Sequence, residues 1–344
     1  MKIFLRLLKY AAVLIVLFIA IIVVLRLYNH SVYNKYKQVD SSSIYSDPTN
    51  LDLYPSEYEG VQIEHIKGDY LNGFHLRPSK KTKKGVVVTF GGSEGSPGYY
   101  EGVSFALQGY EVLSLFSYGM PNQQPSLSKI PIDFFDEVLA YIEKNVADPA
   151  PLTLYGASKG AELCLNLVNY YSEIDHIILM APSAYNFNGL DYENISSSWT
   201  YKGKELPYIS TMHAGFPEYI AFLFGMVSGA PTSYEPLYRT AIANTDKAAD
   251  YEILQEAADA DILIFAGGDD RMWPSASMAK VIKKTQGERA ELHIYDKAGH
   301  IFAEGGYLAS PYGLIATGGS KKENEAAGQA YREVLMERLN QWHQ

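Results

Sequence analysis

Short, unbroken apolar runs alternate along most of this chain with longer stretches whose apolar residues recur at every third or fourth position. That rhythm predicts a parallel sheet wrapped by helices. Gly85-Val-Val-Val-Thr-Phe90 is a β-branched run with no polar alternation, suited to a strand buried on both faces. Glu111 to Phe116, Leu152 to Tyr155, His176 to Met180, Asp261 to Ala266 and Glu291 to Tyr295 continue the series. Two earlier strands, Val61 to Ile66 and Tyr70 to Leu76, are separated by a Gly68-Asp69 turn. Helical periodicity marks Pro131 to Lys144, a segment from about Ser275, and a closing helix from about Glu323 to Trp342. Between about Ser183 and Asp250 the rhythm lapses into Tyr-, Ser- and Pro-rich sequence with one apolar helix, Tyr219 to Val227. The expected fold class is therefore α/β, a mostly parallel doubly wound sheet carrying a cap-like insertion over about residues 183–250.

The first segment has a different pattern. Tyr10 to Leu25 holds no charged or helix-breaking residue, and with Leu7, Leu8, Leu27 and Tyr28 it reaches the ~20 residues that cross a bilayer. A cleaved secretory signal fits less well, because the flank from Leu25 to Ser31 offers no small-residue cleavage site. A buried core helix fits less well too, since polar, Tyr- and Ser-rich sequence follows. The expected organisation is a membrane anchor over residues 1–30, a stalk over 31–58 and an α/β domain over 59–344. Lys2, Arg6 and Lys9 precede the span, and Arg26, Lys35 and Lys37 follow it, so basic residues alone do not orient it. The short basic N-terminus resembles a signal anchor, which favours a single-pass protein with its catalytic domain outside the cytoplasm.

Charge separates the two parts further. Six of the 29 basic residues precede residue 38 without one acid, leaving 23 bases against 39 acids in the remainder, a net of −16. Such a body is a poor partner for nucleic acid. The single cysteine, Cys164, builds no disulfide framework. No His-Glu-x-x-His helix or cysteine pair calls for a metal, and no cofactor is expected.

The chemistry concentrates in the loops that follow the strands. Leu152-Thr-Leu-Tyr-Gly-Ala-Ser-Lys-Gly-Ala161 has the form of a nucleophile elbow, in which small residues two before and two after the nucleophile permit a strained strand-to-helix turn. Gly156 and Gly160 fill those places around Ser158. A serine hydroxyl needs a histidine base and a carboxylate to orient it, in the chain order Ser, Asp or Glu, His. Gly267-Gly-Asp-Asp-Arg-Met-Trp-Pro274 supplies Asp269 and Asp270, of which loop position favours Asp270, and Asp296-Lys-Ala-Gly-His300 supplies His300. A tetrahedral oxyanion needs backbone donors. Candidates are the N–H of Lys159 and one from Gly91-Gly-Ser-Glu-Gly95, either Gly92 or Ser93. That glycine loop lacks the full Gly-x-Gly-x-x-Gly run of a dinucleotide site. The apolar residues from Phe216 to Phe224 are of a kind that lines an acyl tunnel or packs as plain core.

Phe90-Gly-Gly-Ser-Glu-Gly95, Ile130-Pro-Ile-Asp-Phe-Phe135, Gly156-Ala-Ser-Lys-Gly-Ala-Glu-Leu-Cys-Leu165 and Tyr201-Lys-Gly-Lys-Glu-Leu-Pro207 occur in this order. With Gly267 to Ser275, Ala298-Gly-His300 and Pro311-Tyr-Gly-Leu314, they make the chain resemble the C-terminal catalytic domain of the acyl-CoA thioesterase and bile acid-CoA:amino acid N-acyltransferase family. The resemblance implies an α/β-hydrolase fold, a Ser158–Asp270–His300 triad and an acyl-enzyme formed from an activated acyl group such as an acyl-CoA thioester. The family's amide-forming members use cysteine; serine here favours hydrolysis. The β-sandwich that precedes the hydrolase domain in vertebrate members has no room between the apolar segment and the first sheet strands. The same scaffold also serves carboxylesterases, lipases and acyltransferases, and a catalytically silent hydrolase fold would serve as a membrane-tethered binding scaffold.

Overall fold

The computed structural model describes residues 2–37, 42–191, 193–310 and 313–344. Pro311 and Tyr312 of the last family motif lie outside the described residues, as do residues 38–41 of the expected stalk and Tyr192 of the insertion. The chain opens with the apolar helix α1 (Lys2–Tyr33), whose residues are largely exposed. β1 (Val61–Lys67) and β2 (Asn72–Pro78) pair antiparallel. Their turn is clasped by the Glu137 carboxylate, which accepts the amides of Asp69, Tyr70 and Leu71 at 2.6, 2.9 and 2.7 Å.

The parallel elements follow as β3 (Val86–Phe90), α2 (Tyr99–Ala106), β4 (Glu111–Leu115), a two-residue strand β5 (Ile130–Pro131), α3 (Phe135–Asn145), β6 (Leu152–Ala157), α4 (Lys159–Leu167) and β7 (His176–Met180). Next come the small hairpin β8 (Trp199–Tyr201) and β9 (Lys204–Glu205), then the helices α5 (Phe216–Ser228) and α6 (Glu235–Asn244). The chain returns to the sheet with β10 (Asp261–Gly267), α7 (Ser275–Gln286) and β11 (Ala290–Tyr295), and finishes with the hairpin β12 (Tyr307–Ser310) and β13 (Gly313–Ala316) before α8 (Lys321–Trp342).

Eight strands form the main sheet in the order β1-β2-β4-β3-β6-β7-β10-β11, parallel from β4 onward. This is the α/β-hydrolase arrangement. β3 is buried along its whole length, as its unbroken β-branched run predicts. After β3 the chain moves one way to β4 and then returns to place β6 on the other side. That reversal leaves a crevice beyond the carboxyl ends of β3 and β6, where ligand sites of open α/β sheets form. Apolar clusters cover the sheet on both faces, one including Val86, Leu154 and Ile264, the other Val87, Tyr155 and Phe265.

Three sequence expectations are corrected. The helix expected from Pro131 opens with a 3₁₀ turn over Ile132–Phe134 and becomes α-helical at Phe135, because Ile130 and Pro131 pair with β8 through the bond from the Ile130 amide to the Ser198 carbonyl, 2.9 Å. Tertiary pairing there overrides the helical period. The segment expected as a stalk is no free tether: Ile44 is fully buried, and the Tyr54 ring packs against Phe74, Tyr99 and Phe116. Tyr54 is apolar enough to be core, whereas Tyr45 is 52% exposed. The apolar face from Phe216 to Phe224 neither lines a tunnel nor packs inside; Phe216 is 76% exposed and Leu223 51%.

Candidate active site

β6 enters the elbow and α4 leaves it, and between them Ser158 holds φ 54° and ψ −115°. Such a backbone costs on the order of 1–3 kcal/mol for a residue with a Cβ, so its surroundings must impose it. They do. A Cβ on Gly156 would stand 2.2 Å from the Gly160 carbonyl oxygen, and one on Gly160 would stand 2.2 Å from that of Gly91. The Ser158 amide donates to the Met180 carbonyl at 2.8 Å, tying the turn to β7. All nine residues of α4 are buried.

The other two loops interlock. Cβ atoms on Gly267 and Gly268 would meet the carbonyl oxygens of Ala298 and Asp296 at 2.4 Å, and the Asp269 amide donates to Ala298 at 2.9 Å. His300 is 3% exposed and Asp270 6%. His300 Nε2 lies 2.9 Å from Ser158 Oγ, and His300 Nδ1 lies 2.8 Å from Asp270 Oδ2. A carboxylate on Nδ1 holds the proton there and leaves Nε2 as the acceptor facing the serine.

Between the two aspartates the geometry discriminates sharply. Asp270 Oδ2 also accepts from Ser275 Oγ at 2.6 Å, and Oδ1 accepts from the amides of Met272 and Trp273 at 2.8 and 3.2 Å. Asp269 turns elsewhere: it accepts from the Gly319 amide at 2.9 Å and pairs with Arg271 at 2.7 Å. The neighbouring carboxylate therefore fastens the loop to the segment before α8.

The expected oxyanion donors occupy different states. Lys159 N–H, at the start of α4, and Ser93 N–H have no hydrogen-bond partner among the described residues, whereas Gly92 N–H donates to Glu94 Oε1 at 3.1 Å. Glu94 Oε1 also accepts from Ser96 Oγ at 2.5 Å, and Tyr118 Oη donates to the Ser93 carbonyl at 2.5 Å. A Cβ on Gly92 would lie 3.4 Å from Ser158 Cβ, so this loop does border the serine.

Four supporting groups were not legible as such in the sequence. Ser275 completes the Asp270 cage, and Trp273 sets its ring edge-on to His300 with centroids 5.8 Å apart. Asn324, 1% exposed on α8, accepts the Gly299 amide at 2.8 Å and donates to the carbonyls of Ala303 and Gly318. Behind the elbow, the buried Lys159 Nζ donates to Glu162 Oε1 and Ser198 Oγ, each at 2.9 Å, and Trp199 Nε1 donates to the same Glu162 oxygen at 2.8 Å. Burial pushes the Lys159 ammonium down and the Glu162 carboxyl up, each opposed by the other's charge. The structure also places Cys164 in the core, where burial pushes its thiol up.

Residues 130–308, which contain Ser158, Asp270 and His300, match the family model described as BAAT / Acyl-CoA thioester hydrolase C terminal. The chain belongs to this family. Acyl-coenzyme A thioesterase 1 of Homo sapiens is 23% identical over 267 residues, covering 74% of this chain and 56% of that protein. The peroxisomal succinyl-coenzyme A thioesterase of Mus musculus is 23% identical over 246 residues, 69% of this chain and 52% of that protein. This BAAT-family chain thus spans about half the length of the curated relatives it matches. An esterase of Pyrococcus furiosus superposes with a TM-score of 0.52 at 10% identity, covering 85% of this chain and 95% of that one, a likeness of fold.

Proposed function

We propose that this BAAT-family chain is a membrane-anchored serine hydrolase that cleaves an acyl thioester or ester through an acyl-Ser158 intermediate. The observation that carries the proposal is the unbroken line from Ser158 Oγ through His300 to Asp270, with links of 2.9 and 2.8 Å. In the first step His300 Nε2 takes the Ser158 proton as Oγ bonds to the acyl carbon. The negative charge that develops on the carbonyl oxygen falls to backbone amides beside the serine, those of Lys159 and of the Gly91–Gly95 loop. Collapse of the tetrahedral state expels the leaving group, and His300 returns the proton to the departing sulfur or oxygen. Water, deprotonated by the same Nε2, then attacks the acyl-serine, releasing a carboxylic acid and restoring Oγ–H. Asp270 stays ionised throughout and stabilises the imidazolium.

The thioester reading is supported by family membership and by the relatives named as thioesterases. The anchor is α1, part of an apolar stretch from Ile3 to Tyr36 that is long enough to cross a membrane. We place the body outside the cytoplasm, on the short basic segment ahead of the span. A fluorophosphonate probe should label the full-length protein at Ser158, and no labelling that depends on Ser158 would overturn the catalytic reading. Hydrolysis of a chain-length series of acyl-CoAs, set against oxygen esters of the same acyl groups, decides between leaving groups. Protease accessibility in intact cells decides orientation.

A further inference from the structure

α5 carries apolar residues at positions 216, 220, 223, 224 and 227, the spacing of one helical stripe, and all five side chains are exposed: Phe216, Ile220, Leu223, Phe224 and Val227. Met212, in the turn before the helix, extends the stripe and is 61% exposed. Monomeric soluble proteins rarely leave so continuous an apolar face in water. The helix is thirteen residues long, about 20 Å, too short to span a bilayer but well suited to lying along one.

Its partner is indicated by what it touches. The end of α5 meets α1, where Asn29 Nδ2 donates to the Ser228 carbonyl at 3.0 Å in a buried contact, and a Cβ on Gly229 would stand 3.5 Å from Arg26 Cγ. Arg26 is the first charge after the uncharged run of α1. The contact therefore holds the end of α5 at the depth where hydrocarbon gives way to headgroups. Arg26, His30 and Lys37 line a cavity of about 210 Å³ at this junction together with Met226 and Thr232. This cluster of basic side chains, at the end of α1 where it meets an acidic body, suits the phosphates of a leaflet surface. Beyond the same end of α5, the turn into α6 is tied to the candidate site, since the amides of Tyr234 and Glu235 donate to the Arg271 carbonyl, one residue from Asp270. The Phe222 ring packs on Tyr234 with centroids 4.9 Å apart.

We propose that α5 lies in the membrane surface beside α1, its stripe among the acyl chains and Arg26, His30 and Lys37 at phosphate level, so that the body rests on the leaflet. This rests on the reading of α1 as a membrane span. The test uses the full chain in liposomes of phosphatidylcholine and phosphatidylglycerol, with Phe224→Trp, Phe18→Trp or Leu107→Trp as the probe and brominated lipids as quenchers, measured as the difference from wild type. Phe224→Trp should be quenched most by bromines near the headgroup, Phe18→Trp by bromines deep in the chains, and Leu107→Trp by neither. Quenching of Phe18→Trp without quenching of Phe224→Trp would overturn the surface placement while leaving the anchor in place. Absence of quenching at both would overturn the anchor, and the placement with it. As a second readout, the double substitution Leu223→Asp/Phe224→Asp should lower turnover of a long-chain ester presented in the bilayer by about tenfold, with turnover of a short soluble ester unchanged. An equal fall on both substrates would also overturn the proposal.

Discussion

The carboxyl edge of the sheet and the α1–α5 corner break the ordinary rule of burial in opposite directions. At the sheet edge, Lys159, Glu162, Asp270 and His300 are withdrawn from water and held by hydrogen bonds. At the corner, aromatic and aliphatic side chains face outward with no protein over them among the described residues. A buried polar group left unbonded costs about 1–3 kcal/mol, and an exposed apolar stripe invites association. The first region resolves most of its cost within the chain, through backbone amides and neighbouring side chains, with Glu162 Oε2 left without a hydrogen-bond partner among the described residues. The second resolves it only against something outside the chain. The comparison sets a candidate site whose polar groups are mostly partnered inside the fold against an apolar face left open.

The largest effect should come from the serine. Ser158→Ala is expected to lower kcat by roughly four to six orders of magnitude while leaving the melting temperature nearly unchanged, as triad removal does elsewhere; steady-state kinetics beside calorimetry would show it. Next is the acid pair. Asp270→Asn should cost about 10³- to 10⁴-fold in kcat, and Asp269→Asn less than about tenfold because it only releases the Gly319 and Arg271 contacts. The reverse ranking would break the assignment of the orienting carboxylate. Third is the network behind the elbow. Lys159→Met strands a buried carboxylate and should destabilise the fold by about 3–5 kcal/mol in denaturant titrations, with Lys159→Met/Glu162→Leu recovering much of that loss. In detergent, Leu223→Ala on the exposed stripe should fall within about 0.5 kcal/mol of wild type, so the two regions would separate in one experiment.

A modest effect is expected on acid stability. Burial raises the Glu111 carboxyl, but hydrogen bonds from His75 and Lys81, at 2.9 and 2.8 Å, outweigh it and hold the group at about 2. A carboxylate whose folded pKa is depressed adds stability that is complete above its unfolded value of about 4.3 and is lost as pH falls toward 2. Urea titrations from pH 5 to pH 2, about the window these values define, should show Glu111→Gln losing its difference from wild type, a difference of about 1–2 kcal/mol.

Much of this was legible in the sequence because it depends on local chemistry. The β-branched run of β3, the glycines around Ser158 and the order of the strand-end loops each state a steric or chemical requirement at one place in the chain. Asp270 could be favoured over Asp269 by position alone, yet what distinguishes them is Ser275 on one side and Gly319 on the other, contacts set by the fold. Asn324 was hidden for the same reason: a polar residue in the first turn of a helix gives no sign that it will reach 25 residues back to Gly299. Pro131 misread as helix because its partner in β8, Thr200, lies 69 residues further on. The apolar period of α5 was legible; which way it faced was not, since a stripe looks the same whether it meets protein or lipid.

The carboxylate of Glu94 on the Gly92 amide has a consequence for selectivity. A neutral carbonyl accepts a hydrogen bond less strongly than a carboxylate does, so a substrate in its ground state has little with which to displace Glu94. An oxyanion carries comparable charge and can displace it. If the Gly92 amide serves the reaction, it is released only as charge develops, and its hydrogen bond then lowers the barrier without tightening the grip on unreacted substrate.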